Sequence, residues 1–414
     1  MDRPIRFAKY ELLRRIAVGG MAEIFLARQR GLAGFEKILA VKRIRKKYTA
    51  EPSFVQMFLN EARIAARLSH PNVVQIFDLG KAEGCFFIAM EHVHGRNLSE
   101  VVQRAEENRV RFPLEYAVKI ASQVCDGLHY AHTKRDADGT PLDIVHRDIS
   151  PLNLLVSFDG VVKILDFGIA RAERYYREER DGGKKVKGKL TYMAPETVEG
   201  QKEDNRTDVF ALGMVFYELI TGLKVRSQKS DRDLFRSILK GKIHPPSFFR
   251  ADLPEEVEEI ALKALARDPT ERYQHARDMQ YDLDAFLVES GFNPGALHLA
   301  NFVRQLFQED LEREDKQLAE IAKARPAPGK STEHDFDAFD ESEDEVDDEY
   351  LVSSAEPDPP AAEAMADKSK GPPKIVALRL GRGEFDVLRE AGRRHGKTAG
   401  EIAREIVRAH LKFL

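Results

Sequence analysis

The chain has 414 residues, 43% of them hydrophobic, which is room for two or three domains with ordinary buried cores. Only Cys85 and Cys125 are present, too few for a disulfide framework and without metal-ligand spacing, so both read as small buried apolar side chains in a reducing, cytoplasmic setting. No apolar run reaches the roughly 18–20 residues of a membrane span, and the start MDRPIRFAKYELLRR has no apolar stretch after its charges, so neither a membrane partner nor export is expected.

The net charge of −4 conceals opposite local balances: residues 333–349 hold eleven Asp/Glu and no Lys/Arg, whereas residues 374–414 hold ten Lys/Arg against five Asp/Glu. Those two segments are built for different partners.

In chain order, residues 7–90 alternate strand-like runs such as AEIFLARQ, KILAVKRI and CFFIAME with one helix, SFVQMFLNEARIAARL, which predicts a small sheet plus one helix. From about Leu98 to Phe286 the periodicity turns mostly helical. Residues 289–325 continue as amphipathic helix with Leu299, Phe302, Val303, Leu306 and Phe307 on one side, an extension of the helical part. Residues 326–373, rich in Pro, Ser, Asp and Glu, lack the apolar content to offset ordering entropy and read as a disordered acidic linker. Its 48 residues would span roughly 40 Å as a flexible coil. The last 41 residues regain order.

Phosphoryl transfer needs a cover for the phosphates, a cation to place them, metal ligands and a proton acceptor. IAVGGMAEIFLA (Ile16 to Ala27) reads as strand, tight turn, strand, where Gly19 and Gly20 let backbone N–H groups approach phosphate oxygens. LAVK puts Lys42 at the end of an apolar strand, in reach of the α and β phosphates, with Glu61 of the following helix to hold it. HRDISPLN offers Asp148 as the carboxylate facing a substrate hydroxyl and Asn153 as an amide ligand for a divalent ion. LDFG offers Asp166 as the chelating carboxylate.

With these motifs in this order, residues from about 9 to 288 resemble a bacterial eukaryotic-like (Hanks-type) serine/threonine protein kinase. The resemblance implies an α+β fold of two lobes, a small β-rich N-lobe and a large helical C-lobe, within a domain spanning 1–288. It implies ATP and Mg²⁺ (or Mn²⁺) as cofactors and proteins as substrates. It places Ala40 and Leu155 on either side of the adenine and Ile16 and Ile24 in the nucleotide site, makes Met90 the gatekeeper, and gives the adenine edge to the Glu91 carbonyl and the Val93 amide. Small-molecule kinases share the lysine and both aspartates, but YMAPE, with Glu196 pairing Arg272 of DPTERY, resembles a protein-substrate platform. Asp208 matches the buried aspartate that braces the catalytic loop.

Some positions depart from the family pattern. Ala17 and Ala22 replace the first and third glycines of the loop, which disfavours positive φ but still permits close approach. Ser150 stands where many relatives carry a lysine, a loss worth up to a few kcal/mol of transition-state stabilisation on the order of one electrostatic donor. Leu152 weakens any preference for basic substrates. Arg147 ordinarily pairs with an activation-loop phosphate, yet from Ala170 to Leu190 the only hydroxyls are Tyr175 and Tyr176, and Lys189 replaces a threonine. Activity is therefore expected without Ser/Thr phosphorylation of that loop, with Glu178, Glu179 or Asp181 holding it. TKRDADGTPLD (Thr133 to Asp143) reads as an inserted surface hairpin rather than a metal site at Asp136 and Asp138.

Residues 374–414 show a strand with Val376, Leu378 and Leu380 alternating, then two helices separated at Gly396, the second opened by a capping box at Thr398 and Glu401. This resembles the ribbon-helix-helix family, which implies a homodimer through paired strands. It would present Ile375, Ala377 and Arg379 to a major groove, with Lys397 and Thr398 at phosphate. Two of those three strand residues cannot hydrogen-bond to bases, so DNA stands as one reading beside a dimerisation module or a hairpin docked on the kinase. The whole reads as a cytoplasmic protein kinase dimerised through its tail, with serines and threonines of the linker open to autophosphorylation. Against it stand a kinase-like scaffold, suggested by Ser150 and the thin glycine loop, and a DNA-binding regulator that senses nucleotide.

Overall fold

The computed structural model describes residues 4–167, 192–223, 243–292 and 295–323. The readings on the loop 168–191, the acidic linker and the tail lie outside the described residues. The chain divides into two units, Met1–His244 with Pro254–Ser342, and Pro245–Leu253 with Glu343–Leu414. In the second, the described stretch is a single turn around Pro246–Phe248 in which Phe248 and Phe249 meet edge to face, 5.0 Å between ring centres.

The first unit begins with an antiparallel six-stranded sheet in the order β1-β2-β3-β4-β6-β5. Its strands are Ile5–Phe7 (β1), Tyr10–Val18 (β2), Ala22–Arg30 (β3), Glu36–Ile44 (β4), Ile76–Ala82 (β5) and Cys85–Met90 (β6). Side chains alternate between faces along a strand, so β4 sends Leu39 and Val41 to one side and Ala40, Lys42 and Ile44 to the other. The first face packs with Phe7, Tyr10, Leu12, Phe25, Phe87 and Ala89. The second packs on Phe54, Phe58 and Ala62 of helix α2, Pro52–Ala65, which follows the short α1, Lys46–Thr49. Positions 54, 58 and 62 fall four apart on one stripe, and Glu61 is buried on the same helix. Lys42 therefore points into the space between the sheet and α2.

A three-stranded sheet follows, β7-β8-β9, built from Gly95–Asn97, Leu154–Ser157 and Val162–Ile164. The helical part comprises α3 (Leu98–Glu107), α4 (Leu114–His132), α5 (Pro195–Val198), α6 (Asn205–Thr221), α7 (Glu255–Ala264) and α8 (Ala276–Glu289). Helix α6 is buried on nearly every side from Thr207 to Tyr217, as a helix apolar all round must be. It ends at Gly222 in the left-handed region, φ 70°, where glycine carries no Cβ penalty. Gly213 permits the close passage of α7, since a Cβ there would lie 2.9 Å from the Ala264 Cβ.

Beyond α8, Ala296–Leu306 (α9) and Gln308–Lys323 (α10) continue the first unit. Leu299, Val303, Leu306 and Phe307 are buried, and Phe302, half-buried, packs edge-on against Phe112 at 5.5 Å. Helix α10 returns to the segment that joins the two lobes: Glu314 accepts from Arg96 at 2.8 Å and lies 3.6 Å from His94. Gln317 accepts from Arg14 of β2 at 3.2 Å. The insertion at Thr133–Asp143 is a hairpin, with Asp136 N donating to Thr140 O at 2.8 Å and Gly139 at φ 86°. Its carboxylates are engaged locally, Asp136 with Arg67 and Asp138 with the Thr140 amide. Among the described residues there is no cluster of metal-binding side chains and no helix long and apolar enough to cross a membrane. Cys85 and Cys125 are buried free thiols, and burial pushes the Cys125 thiol well up.

Candidate active site

The cleft lies under the β2–β3 turn. Gly19 N donates to Ala22 O at 2.8 Å, closing the turn. Neither Gly19 nor Gly20 has positive φ, and neither does Ala17 or Ala22, so the alanines incur no backbone strain. A Cβ at Gly20 would meet nothing within 4 Å and one at Gly19 only Ala22 O at 3.4 Å. Nothing inside the fold demands these two glycines; their smallness leaves room above the cleft. Ile16 on β2 is 38% exposed, and Ile24 on β3 stands opposite Lys42 in the ladder.

Lys42 is 9% exposed, with its Nζ 2.9 Å from Asp166 Oδ1 and 4.0 Å from Glu61 Oε1. Lys42 thus meets both carboxylates, the shorter contact to Asp166 and the longer to Glu61 of α2. Asp166 itself has φ 52°, a conformation that aspartate tolerates better than most residues. Its neighbours fix it: Leu165 O accepts from His146 Nε2 at 2.7 Å, and the His146 ring meets Phe167 edge-on at 4.7 Å.

Asp208, wholly buried, organises the adjoining loop. Its two oxygens accept from His146 N and Arg147 N, each at 2.7 Å, and Oδ2 also lies 2.8 Å from His132 Nε2. Two successive N–H groups converging on one carboxylate fix the main chain at Arg147, whose φ is 66°. Such a conformation persists only where the surroundings over-determine it. Burial pushes the Asp208 carboxyl up, but the His132 hydrogen bond and charge and the His146 contacts outweigh it, leaving the group below its ordinary value.

The same loop presents Asp148 and Asn153. Asn153 Nδ2 donates to Asp148 O at 2.7 Å and to Asp148 Oδ2 at 2.9 Å. A main-chain carbonyl only accepts, so the amide nitrogen must face it and the amide oxygen is turned elsewhere. Leu165 N donates to Asn153 O at 2.9 Å, tying Asn153 to the residue before Asp166. An amide oxygen and a carboxylate are hard oxygen donors of the kind Mg²⁺ takes together with phosphate and water, so the residues present fit a divalent ion.

At the back of the cleft Ala40 pairs with Met90 across the β4–β6 ladder, and Met90 is 8% exposed. Glu91 and Val93 follow in the linking segment, where Glu91 N donates to Gln75 O at 2.8 Å. Leu155, half-buried on β8, stands opposite Lys163 on β9. Three charged contacts here were not foreseen from the sequence. Arg147 Nε lies 2.9 Å from Glu203 Oε2, a carboxylate outside the loop segment that offered Glu178, Glu179 and Asp181. Lys163 holds Glu91 at 2.8 Å, and Glu314 holds Arg96. The foreseen pair is present: Arg272 grips Glu196 with two hydrogen bonds of 2.7 Å.

The model of the family described as protein kinase domain matches residues 10–282. The chain is 43% identical over 316 residues to the tyrosine-protein kinase MasK of Myxococcus xanthus, covering 76% of this chain and 49% of that protein. It is 32% identical over 326 residues to the serine/threonine-protein kinase PrkC of Bacillus subtilis, covering 77% and 46%. The chain thus spans about half the length of these curated relatives. Among solved structures, the PknI kinase domain of M. tuberculosis superposes with a TM-score of 0.51 at 26% identity, covering 70% of this chain and 99% of that one.

Proposed function

Because the chain belongs to the protein kinase domain family, we propose that it transfers the γ-phosphoryl of Mg-ATP to Ser/Thr hydroxyls of proteins in bacterial signalling. One observation carries the reading: Lys42 pairs with Asp166, Asn153 hydrogen-bonds Asp148, and Leu165, the residue before Asp166, joins the two pairs by donating to Asn153 O, over a loop braced by a single buried carboxylate. Lys42 places the α and β phosphates, steadied by Glu61, while Gly19 and Gly20 leave space above them. Asp148 accepts the proton of the attacking hydroxyl, its carboxylate oriented by Asn153. Asn153 and Asp166 hold Mg²⁺ or Mn²⁺. When bound, the ion neutralises charge that develops on the phosphoryl oxygens. Ile16, Ile24, Ala40, Met90 and Leu155 enclose the base, whose edge meets the Glu91 carbonyl and the Val93 N–H.

Arg147 takes Glu203 as its counter-charge, which supports activity without a phosphorylated Ser or Thr in the loop 170–190. The tail 374–414 serves as a homodimerisation module on this reading, with DNA as its further candidate partner. A second reading, transfer to tyrosine, is favoured by the likeness to a tyrosine-protein kinase and by Tyr175 and Tyr176. Phosphoamino-acid analysis after labelling the full chain and a generic protein with γ-labelled Mg-ATP tests the choice. Phosphoserine and phosphothreonine are expected. Phosphotyrosine alone would transfer the assignment to the second reading, and bound nucleotide without any transfer would leave the scaffold.

A further inference from the structure

Glu91 supplies only main-chain atoms to the proposed nucleotide, yet its side chain is fully engaged. Both carboxylate oxygens lie 2.8 Å from Lys163 Nζ, and Oε2 also accepts from Gln75 N at 3.3 Å. Gln75 O in turn accepts from Glu91 N at 2.8 Å. Residue 91 is therefore held through its side chain and its amide, which fixes the Cα from which its carbonyl projects. Lys163 is well placed to impose this. It sits at the centre of β9, opposite Leu155 in the ladder and three residues before Asp166. Its strand is pinned on the other edge by Ile164 N to Asn72 O at 2.9 Å and by Val74 N to Ile164 O at 3.0 Å.

The pair is 15% exposed at Lys163 and 28% at Glu91. A pair this far withdrawn from water is only weakly screened, so it can hold the two side chains in one geometry. We infer that Lys163 is a positioning residue for nucleobase recognition: by gripping the Glu91 carboxylate from behind, it aims the Glu91 carbonyl into the cleft and so selects a base with a 6-amino donor over one with a 6-oxo group. A carbonyl can only accept a hydrogen bond. Adenine offers an N–H at that edge, whereas hypoxanthine or guanine sets an oxygen against it and leaves both acceptors unpartnered, the costly case. This inference rests on the nucleotide site proposed above.

The test uses the full chain and two readouts. Calorimetry gives the affinities for Mg-ATP and Mg-ITP of the wild type, Lys163→Met, Lys163→Arg and Glu91→Gln; turnover with a generic protein substrate gives kcat and KM for each nucleotide. Loss of one aligned hydrogen bond predicts that Lys163→Met and Glu91→Gln weaken Mg-ATP about 3- to 10-fold and leave Mg-ITP nearly unchanged. The loss should enter KM more than kcat, and Lys163→Arg should restore most of the preference. Glu91→Gln carries the argument if Lys163→Met does not fold. An ATP-to-ITP affinity ratio equal to that of the wild type in both variants would overturn the inference while leaving the kinase reading intact. Nucleotide discrimination that follows Lys163 in binding, without turnover in any protein, would support the inference and remove the catalytic reading. A wild-type chain that binds neither nucleotide would overturn both.

Discussion

Replacing Glu196 by alanine removes one half of a buried ion pair whose other half cannot leave. The side chains of Arg272 and Glu196 are 0% and 6% exposed. Arg272 Nη1 and Nη2 each donate to the carboxylate at 2.7 Å. The guanidinium also donates to Ala266 O at 2.7 Å, Arg267 O at 3.0 Å and Arg206 O at 3.2 Å, and Thr207 Oγ1 donates to Glu196 at 3.1 Å. Without Glu196, three carbonyl dipoles remain around a full positive charge in a water-excluded site. Such a loss costs about 3–5 kcal/mol, and for a domain of this size each kcal/mol lowers Tm by roughly 2–4 °C. Glu196→Ala should therefore melt roughly 6–20 °C below the wild type by circular dichroism, and Arg272→Met should lose a similar amount. Their combination should fall well short of the sum, because the second change removes the charge that the first left unpaired. A Glu196→Ala deficit under about 1 kcal/mol, the range of exposed pairs, or strict additivity in the double variant, would refute the reasoning.

Three further outcomes follow from other contacts. Asp208 has its pKa held below the ordinary 3.8, so its contribution is complete above that pH and is lost as the pH falls through the still lower folded-state value. In urea titrations Asp208→Asn should therefore be less stable than the wild type at pH 7, and the deficit should narrow below pH 3.8. With Glu203 as the partner of Arg147, phosphatase-treated wild type should retain its transfer rate while Glu203→Gln loses activity with a change in stability of only about 0–1 kcal/mol; a rate that depends on loop phosphorylation would contradict this. Glu314→Ala removes the contact to Arg96 and should lower stability by about 1 kcal/mol, read as a melting shift of a few degrees; Arg96, still held by Glu100 and the rings of Phe158 and Phe307, should cost further stability when it too is replaced by alanine.

Much of this site was legible because its parts are local in sequence. The glycine turn, Lys42 at a strand end, and the stripe of Phe54, Phe58 and Ala62 follow from periods of 2 and 3.6 residues. The hairpin at Thr133–Asp143 follows from its turn residues. Glu196 with Arg272, and Asp208 beneath the catalytic loop, were reached through the family pattern. What stayed hidden depends on packing between distant segments. Lys163 reads as the polar member of an alternating strand, and nothing near it names Glu91, 72 positions away. Glu203 reads as a solvated acid before a helix cap. The return of α10 to Arg96 crosses 218 positions and has no signature in its own amphipathic pattern. The balance between Glu61 and Asp166 at Lys42 is a matter of lobe geometry, set by how α2 and β9 are held rather than by motif spacing.

The central claim is that Asp148 and Asp166 serve phosphoryl transfer. The most direct test is transfer of labelled γ-phosphate from Mg-ATP to a generic protein by the full chain, beside Asp148→Asn and Asp166→Ala prepared identically, with nucleotide binding measured on each. The account predicts clear transfer by the wild type and a fall of roughly 10²- to 10⁴-fold in Asp148→Asn, with loss in Asp166→Ala. Equal label incorporation by all three proteins, or none by a wild type that has bound its nucleotide, would contradict it.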